Sequence, residues 1–432
     1  MNLRKKIICL LVLVTMPTAG MLPVLAGGPL TVTGPSSNHP GTPYRWNLAP
    51  IPYFTDRGEL GNQSNSAANT LVSEAFGVWQ NIDTADIRFQ NSGQLSYDVT
   101  AASIRLFDNA ISNCGDSSQP TNSIVYDSDG SIITALGMDY NSTLGFSETL
   151  CTDDAEGFYT RGWVLLNGRF IDGQADSSSH ASVSLAEFKG VFIHELGHLI
   201  GLDHSQINLN CLTSSSCSSA DTAGVPVMFP ILLDGADATP KTDDIAAVSV
   251  LYPSSSFSTT KGRIQGRVFF SDGKTPAQGY NVIARLEGNP RTTAVSSVSG
   301  YLFTAGVGNA LAPSMYDEEQ FYGSQDPSLI GFYDIPGLPP GNYTIEVEAI
   351  YNSSDYAFID SSSVGPIGQF LGFQYKMPGT CNLQYLNYPS SPSDSCSAKS
   401  TVTVGSGITV NTNTDVILFG TPPRYDAWED GD

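Results

Sequence analysis

Apolar positions recur along this chain with two different periods. In the first part they follow a helix: Ala75, Phe76 and Trp79 fall on one face, and Leu185, Phe188, Phe192, Leu196 and Leu199 form a stripe that predicts a helix from about Ser184 to Ile200. Ser184 and Glu187 have the spacing of a capping box at its start. Gly197 costs such a helix about 1 kcal/mol relative to alanine, so a neighbouring backbone is expected to approach closely there. Residues 85–87, Ala-Asp-Ile, lead into a predicted strand. Past residue 260 the period becomes two: Ile264, Val268 and Phe270 alternate with polar positions, as do Val282, Ala284 and Leu286, and Tyr343, Ile345, Val347 and Ala349, with glycine- and proline-rich turns between them. That is the pattern of an antiparallel β-sandwich.

The two regimes meet at Ser-Ser-Ser-Phe-Ser-Thr-Thr, residues 254–260. The expected fold class is α+β followed by an all-β sandwich. The expected division is a signal peptide at 1–26, a first domain at 27–253, a linker at 254–261, a sandwich domain at 262–420 and an acidic tail at 421–432. Neither an internal repeat nor a heptad pattern is present.

The first 26 residues read as a secretory signal: Arg4, Lys5 and Lys6, then the apolar run Ile7 to Val14, then Val-Leu-Ala at 24–26 as a cleavage site. Pro17, Gly20 and Pro23 break the segment, and no later run reaches the 18 or so apolar residues of a membrane span. Losing three cations and no anion takes the net charge from −22 to −25, which argues against a nucleic-acid partner. Of seven cysteines, Cys9 leaves with the signal. The six that remain suit an oxidising compartment, and among fifteen connectivities the simplest pairs neighbours: Cys114 with Cys151, Cys211 with Cys217, Cys381 with Cys396. The expected location is secreted or extracellular, with periplasm and cell surface left open.

Chemistry concentrates in residues 194–204, His-Glu-Leu-Gly-His-Leu-Ile-Gly-Leu-Asp-His. His194 and His198 stand four apart, so on a helix their imidazoles project from one face onto one ion. Gly201 is positioned to enter left-handed backbone space after Ile200, turning the chain so that His204 supplies a third ligand. Three ligands leave a fourth position open, the mark of a catalytic rather than a structural zinc. Glu195 sits beside the first ligand, where its carboxylate can act as general base without occupying a coordination position.

This HExxHxxGxxH string resembles the metzincin zinc proteases, and Ser205 directly after the third histidine makes it similar to the matrixin branch. Val227, Met228, Phe229 and Pro230 resemble the matrixin Met-turn, with phenylalanine where that family often has tyrosine; the resemblance implies that Met228 underlies the metal. Asp243, Asp244 and Ile245, followed by Leu251 and Tyr252, resemble the closing helix of matrixin catalytic domains, so the likeness runs over about residues 43–253. It implies a zincin-type domain with a twisted mixed sheet and an active-site helix.

The chain departs from that pattern in two places. No cysteine-bearing propeptide motif precedes the domain, and the residues between Ala26 and Pro43 are too few for a folded prodomain. Cys114 to Arg161 resembles the family only loosely, so further structural zinc or calcium stays unassigned. Asp127, Asp129 and Gly130 read as a solvated turn rather than a calcium loop, and His180 as a surface histidine rather than a second metal ligand. Beyond the linker, Gly-Arg-Val-Phe-Phe-Ser-Asp-Gly (266–273), Val-Ser-Gly-Tyr-Leu-Phe (298–303) and Leu-Pro-Pro-Gly-Asn-Tyr-Thr-Ile (338–345) resemble the carboxypeptidase-regulatory-like sandwich, a transthyretin-like or Ig-like fold. That likeness implies an accessory module making cell-surface or matrix contact.

The reading at this point is a secreted zinc metalloendopeptidase, Zn²⁺ held by His194, His198 and His204, Glu195 the catalytic base, Met228 in support, with a protein or peptide substrate and a monomeric state favoured. Substrate is expected along an edge strand between Ser131 and Gly145, with the loop from Phe229 to Pro240 as specificity wall. The alternative is a secreted binding or adhesion protein in which a structural zinc site supports a β-sandwich that does the binding. A third reading keeps the metal hydrolysis but directs it at cell-wall or other non-protein amide bonds.

Overall fold

The computed structural model describes residues 42–177, 180–205, 207–208, 211, 217–233, 237–277, 280–299, 331–349, 383–386, 397–412 and 415–418, together with 8–9, 28–30, 33 and 37–39. The cleavage site at 24–26, the tail from 421 and the pair Cys381 and Cys396 lie outside the described residues, as does the signal apart from Ile8 and Cys9. The chain is mixed α and β. Among the described residues no helix is long and apolar enough to cross a membrane. Disulfides join Cys114 to Cys151 and Cys211 to Cys217, as neighbour pairing predicts, and agree with an extracellular setting.

The first part is built on a six-stranded sheet. Its strands are β1 (Arg45–Trp46), β2 (Ile51–Thr55), β3 (Phe89–Gln94), β4 (Asn122–Asp127), β5 (Gly145–Asp153) and β6 (Phe158–Asn167). The order is β1-β6-β4-β2-β3, all parallel, and β5 pairs antiparallel on the remaining side of β6. A parallel core strand is covered on both faces, and β4 is buried at every position. Alternate residues explain this. Ile124, Tyr126, Val164 and Leu166 enter one core with helices α1 (Asn65–Gln80) and α4 (Leu185–Leu199), while Val125, Trp163 and Leu165 enter another with α2 (Ile104–Ile111) and α3 (Ser131–Leu136).

The histidine-bearing helix α4 starts at the expected capping box: Ser184 accepts from Glu187 N–H, and the Glu187 side chain accepts from Ser184 N–H. Phe188, Phe192, Leu196 and Leu199 are buried as the stripe predicts. Leu185 is not; at the first turn, before the helix passes under the sheet, it stays 41% exposed. The close approach at Gly197 comes from side chains instead of a backbone. A Cβ there would stand 2.2 Å from Met228 Sδ and 3.1 Å from Trp79 Cζ2. Trp79 is itself fixed, its Nε1–H donating to Ile193 O at 2.9 Å.

The segment expected to hold an edge strand between Ser131 and Gly145 is different. Ser131–Leu136 is the short helix α3, because Asp127 accepts from Gly130 N–H and Ile133 N–H and Gly130 turns left-handed at φ 85° ahead of it. The edge strand is β5, which begins at Gly145.

The closing helix α6 (Thr242–Leu251) follows the short helix α5 (Ser219–Ala223) and the two-residue strand Ile231–Leu232, which pairs antiparallel with Ile8–Cys9. The predicted linker carries a further short helix, α7 (Phe257–Thr260), anchored by Ser254 and Ser256 hydroxyls donating to Asp83 O.

Two sheets then enclose a third core. One has the order β9-β8-β11-β12, from β8 (Tyr280–Leu286), β9 (Ala294–Val298), β11 (Gly341–Ala349) and β12 (Leu383–Tyr385), with β13 (Thr401–Val404) also on β11. The other has β10 (Phe332–Leu338) antiparallel to β7 (Gly262–Phe269). Ile264, Val268, Phe270, Val282, Ala284, Tyr343, Ile345 and Val347 fill the space between, in line with the alternation read from sequence. The arrangement is not wholly antiparallel: β14 (Thr409–Asn411) and β15 (Val416–Ile417) both pair parallel with β7.

Gly197→Ala tests the packing under the histidine helix. In an exposed helix it would stabilise by about 1 kcal/mol; here it is expected to destabilise by about 1–3 kcal/mol, because Met228 and Trp79 cannot both retreat. Urea unfolding of the variant against wild type gives the sign directly.

Candidate metal centre and active site

His194 and His198 project from the last two turns of α4, and His204 returns to them from the loop beyond it. One ligand atom from each imidazole lies within 4.8 Å of the others, and all three rings are buried. Gly201 has φ 94°, the left-handed turn that the spacing predicts, and a Cβ on it would press on Tyr159 at 2.8 Å. Leu202 N–H donates to Gly197 O and Gly201 N–H to His198 O, which ends the helix and starts the return.

The tautomers follow from the neighbours. His194 Nδ1 is 2.8 Å from Val227 O, and His198 Nδ1 is 2.8 Å from Leu202 O. A carbonyl only accepts, so each Nδ1 carries the proton and donates. Each Nε2 is left with its lone pair, and the two Nε2 atoms stand 3.0 Å apart. Two lone pairs at that distance repel unless a cation lies between them, so the donor set fits a divalent metal of the zinc type. Burial and the neighbouring imidazoles keep the ligands neutral: His194 is pushed down to about 3, chiefly by burial and then by His198, and His198 to about 4 by burial. His204 is driven well below the usual histidine range by burial and then by the other two rings.

Glu195, the next residue on α4, is fully buried, and neither carboxylate oxygen has a hydrogen-bond partner among the described residues. Burial raises its pKa well above the usual carboxylate range. It lies against the start of the edge strand: a Cβ on Gly145 would stand 2.9 Å from Glu195 Oε1. The glycine leaves that space to the carboxylate.

Met228 lies beneath α4 and is 1% exposed. The turn that carries it is fixed by Asp244 on α6, whose carboxylate accepts from Val227 N–H at 2.9 Å, Met228 N–H at 3.0 Å and Lys241 N–H at 2.7 Å. Asp244 therefore sets the position of the same Val227 whose carbonyl orients His194. Its neighbour Asp243 accepts from the Ser205 hydroxyl, directly after His204. Burial raises both acids, Asp243 to about 6 and Asp244 to about 7. From sequence, Asp243 and Asp244 carry a likeness without a task, and Asp203 and Asn208 carry no signal of their own. Asp203 is wholly buried and accepts from His204 N–H. The N-terminal residues Gly28–Leu30 run along the same turn, with Leu30 N–H donating to Gly201 O at 2.7 Å and Asp203 N–H to Gly28 O at 3.1 Å. Only their distance from the motif hid these contacts.

Two readings of secondary sites change or sharpen. His180 is not a surface residue: it is 7% exposed and its Nε2 is 3.2 Å from Asp172 Oδ1. Asp127 is buried and caps α3, so its oxygens are spent on backbone N–H groups, and Asp129 accepts from Ser131 N–H. Among the described residues, His194, His198 and His204 form the one group of three or more metal-ligating side chains.

Residues 77–215, a span that includes all three histidines and Glu195, match the Peptidase M66 family. No curated protein matches the chain. Among solved structures it is similar to the minor pilin GBS52 of Streptococcus agalactiae, at 14% identity and a TM-score of 0.16, over 38% of this chain and 47% of the pilin. The chain thus spans about half of the pilin's length. It is also similar to a candidate carbohydrate-binding protein from Pseudomonas aeruginosa, at 13% identity and a TM-score of 0.15, over 38% of this chain and 92% of that one. At such TM-scores neither likeness bears on fold or function. The family match supports a metallopeptidase.

Proposed function

We propose that the protein is a secreted zinc-dependent metalloendopeptidase with a metzincin, matrixin-like catalytic domain over about residues 43–253, followed by an accessory β-sandwich from about residue 262. The observation that carries this reading is Glu195: a buried carboxylate with no protein partner among the described residues, beside three neutral imidazoles that aim at one point. A structural metal site has no use for that acid, which weighs against the binding-protein alternative.

His194, His198 and His204 would hold the zinc, which when bound would supply a Lewis acid for the scissile carbonyl and lower the pKa of a water to around 7. Glu195 takes the proton as that water attacks, a role suited to a carboxylate whose burial raises its proton affinity. The same residue then hands the proton to the departing amine nitrogen as the C–N bond breaks. Main-chain carbonyls of Val227 and Leu202 hold His194 and His198 in the required tautomer throughout. The outer edge of β5 pairs with no other described strand, so an extended peptide can add to it beside Glu195. Gly145, at the start of that edge, has no side chain to displace the Glu195 carboxylate. The segment after Met228, with Ile231–Leu232, would form the opposite wall.

Glu195→Ala is expected to retain one zinc per chain while kcat/KM on a casein or peptide-library substrate falls about 10²–10⁴-fold. Metal analysis and chelator-controlled digestion of the same preparation measure both, and unchanged turnover would remove Glu195 from the mechanism.

Proton competition for the ligands gives a second expectation. Because folding depresses His194 to about 3 and His198 to about 4, the neutral, metal-binding forms persist well into acid. The zinc dissociation constant should stay nearly flat from about pH 8 to about pH 5 and rise below that. Loss of zinc centred near pH 6.5, the ordinary histidine value, is the opposite result.

A further inference from the structure

We propose that the C-terminal β module is a working part of the metal site, with Arg285 and Ser296 as positioning residues that hold the loop carrying the third histidine. This rests on the metallopeptidase reading above and adds to it.

The first observation is that β8 is buried on both faces. Tyr280, Val282 and Ala284 point into the module's own core, yet Asn281 and Ile283, on the opposite face, are also 0% exposed. The outer face of an antiparallel sandwich is ordinarily solvated. Here Ile207, three residues past His204, covers it, forming an apolar cluster with Ile283 and Ala294.

Two polar clamps flank that cluster. At one, Asp243 bridges the loop and the module: it accepts from the Ser205 hydroxyl, from Ser296 N–H at 2.8 Å and from the Ser296 hydroxyl at 3.2 Å. Ser205 is the residue after His204, and its own N–H donates to Met228 O at 2.8 Å. At the other, Asn208 has φ 60°, the one positive φ among the described non-glycine residues. Asparagine is among the non-glycine residues that enter this left-handed region most readily, and here its side chain anchors the turn. Asn208 Oδ1 accepts from Arg285 Nη1 at 3.0 Å, while its Nδ2 donates to Asp221 O at 3.2 Å and Arg291 O at 3.4 Å. Arg285 is itself fixed by Glu346 across the sheet and donates to Pro290 O at 3.1 Å. Arg291 pairs with Asp221 at 3.2 Å.

The consequence is asymmetric. His194 and His198 stand on α4, but His204 stands on the loop beyond it, and the residues that follow are tied to the β module at Asn208, by Arg285 and the Arg291 carbonyl, and at Ser205 through Asp243, which also accepts from Ser296. Groups hydrogen-bonded to a metal ligand commonly govern 10–100-fold of metal affinity; Arg285 and Ser296 act one contact further out, through Asn208 and Asp243, so the lower end of that range applies to them.

The experiment uses the full-length mature protein and reads zinc dissociation constants by chelator competition, with thermal unfolding of the metal-free protein alongside. Arg285→Ala should weaken zinc about 10-fold, and the Arg285→Ala/Ser296→Ala pair further. Arg285→Lys, which keeps the charge but not the forked donor, should restore part of the loss. Arg263→Ala breaks an ion pair with Asp334 at 3.4 Å on the module's other sheet, and should leave affinity within about twofold of wild type. Wild-type affinity in the double variant overturns the proposal, as does equal weakening by Arg263→Ala, which would mean general destabilisation. Wild-type protein that binds no zinc overturns the metallopeptidase reading as well.

Discussion

Two hydrogen bonds from imidazole Nδ1 to main-chain carbonyls govern the rest of this structure. They decide which nitrogen of His194 and His198 faces the centre, and they turn the placement of two peptide groups, at Val227 and Leu202, into a requirement of the chemistry. The Leu202 carbonyl is set by the left-handed turn at Gly201. The Val227 carbonyl is set by Asp244, which collects three N–H groups around the turn. Met228 and Trp79 fill the space under Gly197, so the helix that bears the ligands and the turn that orients them are packed as one body.

The same logic extends to residues far along the chain. Asp243 and Asp244 sit side by side on α6 but face different tasks, one toward Ser205 and β9, the other toward the turn below the helix. Ala246, on the same short helix, belongs to the core of the β module, and a Cβ on Gly337 would stand 2.5 Å from it. A ten-residue helix thus serves as the shared wall of both parts.

How much was legible depended on how local the cause was. Histidines four apart, a capping box three apart and a glycine before the return turn all act within one or two helical turns, and the sequence pattern specified them. Alternation likewise identified the inner face of the β module. The misplaced edge strand shows the limit. Ile132 and Ile133 suit a strand by composition, but the buried carboxylate of Asp127 and the turn at Gly130 cap a helix there, and burial of an acid is a tertiary event. His180 sits beside a serine run that reads as exposed, and its partner Asp172 stands eight residues earlier. The bonds from Arg285 to Asn208 and from Ser296 to Asp243 cross 77 and 53 positions and leave no periodic trace.

The N-terminal strip also bears on how the protein must be made. Gly28 and Leu30 are stitched to the backbone at Asp203 and Gly201, inside the turn that aims the third imidazole. Processing that cut beyond Leu30 would therefore strip two main-chain bonds from the bend that carries the third imidazole, so where the mature chain begins bears directly on the site.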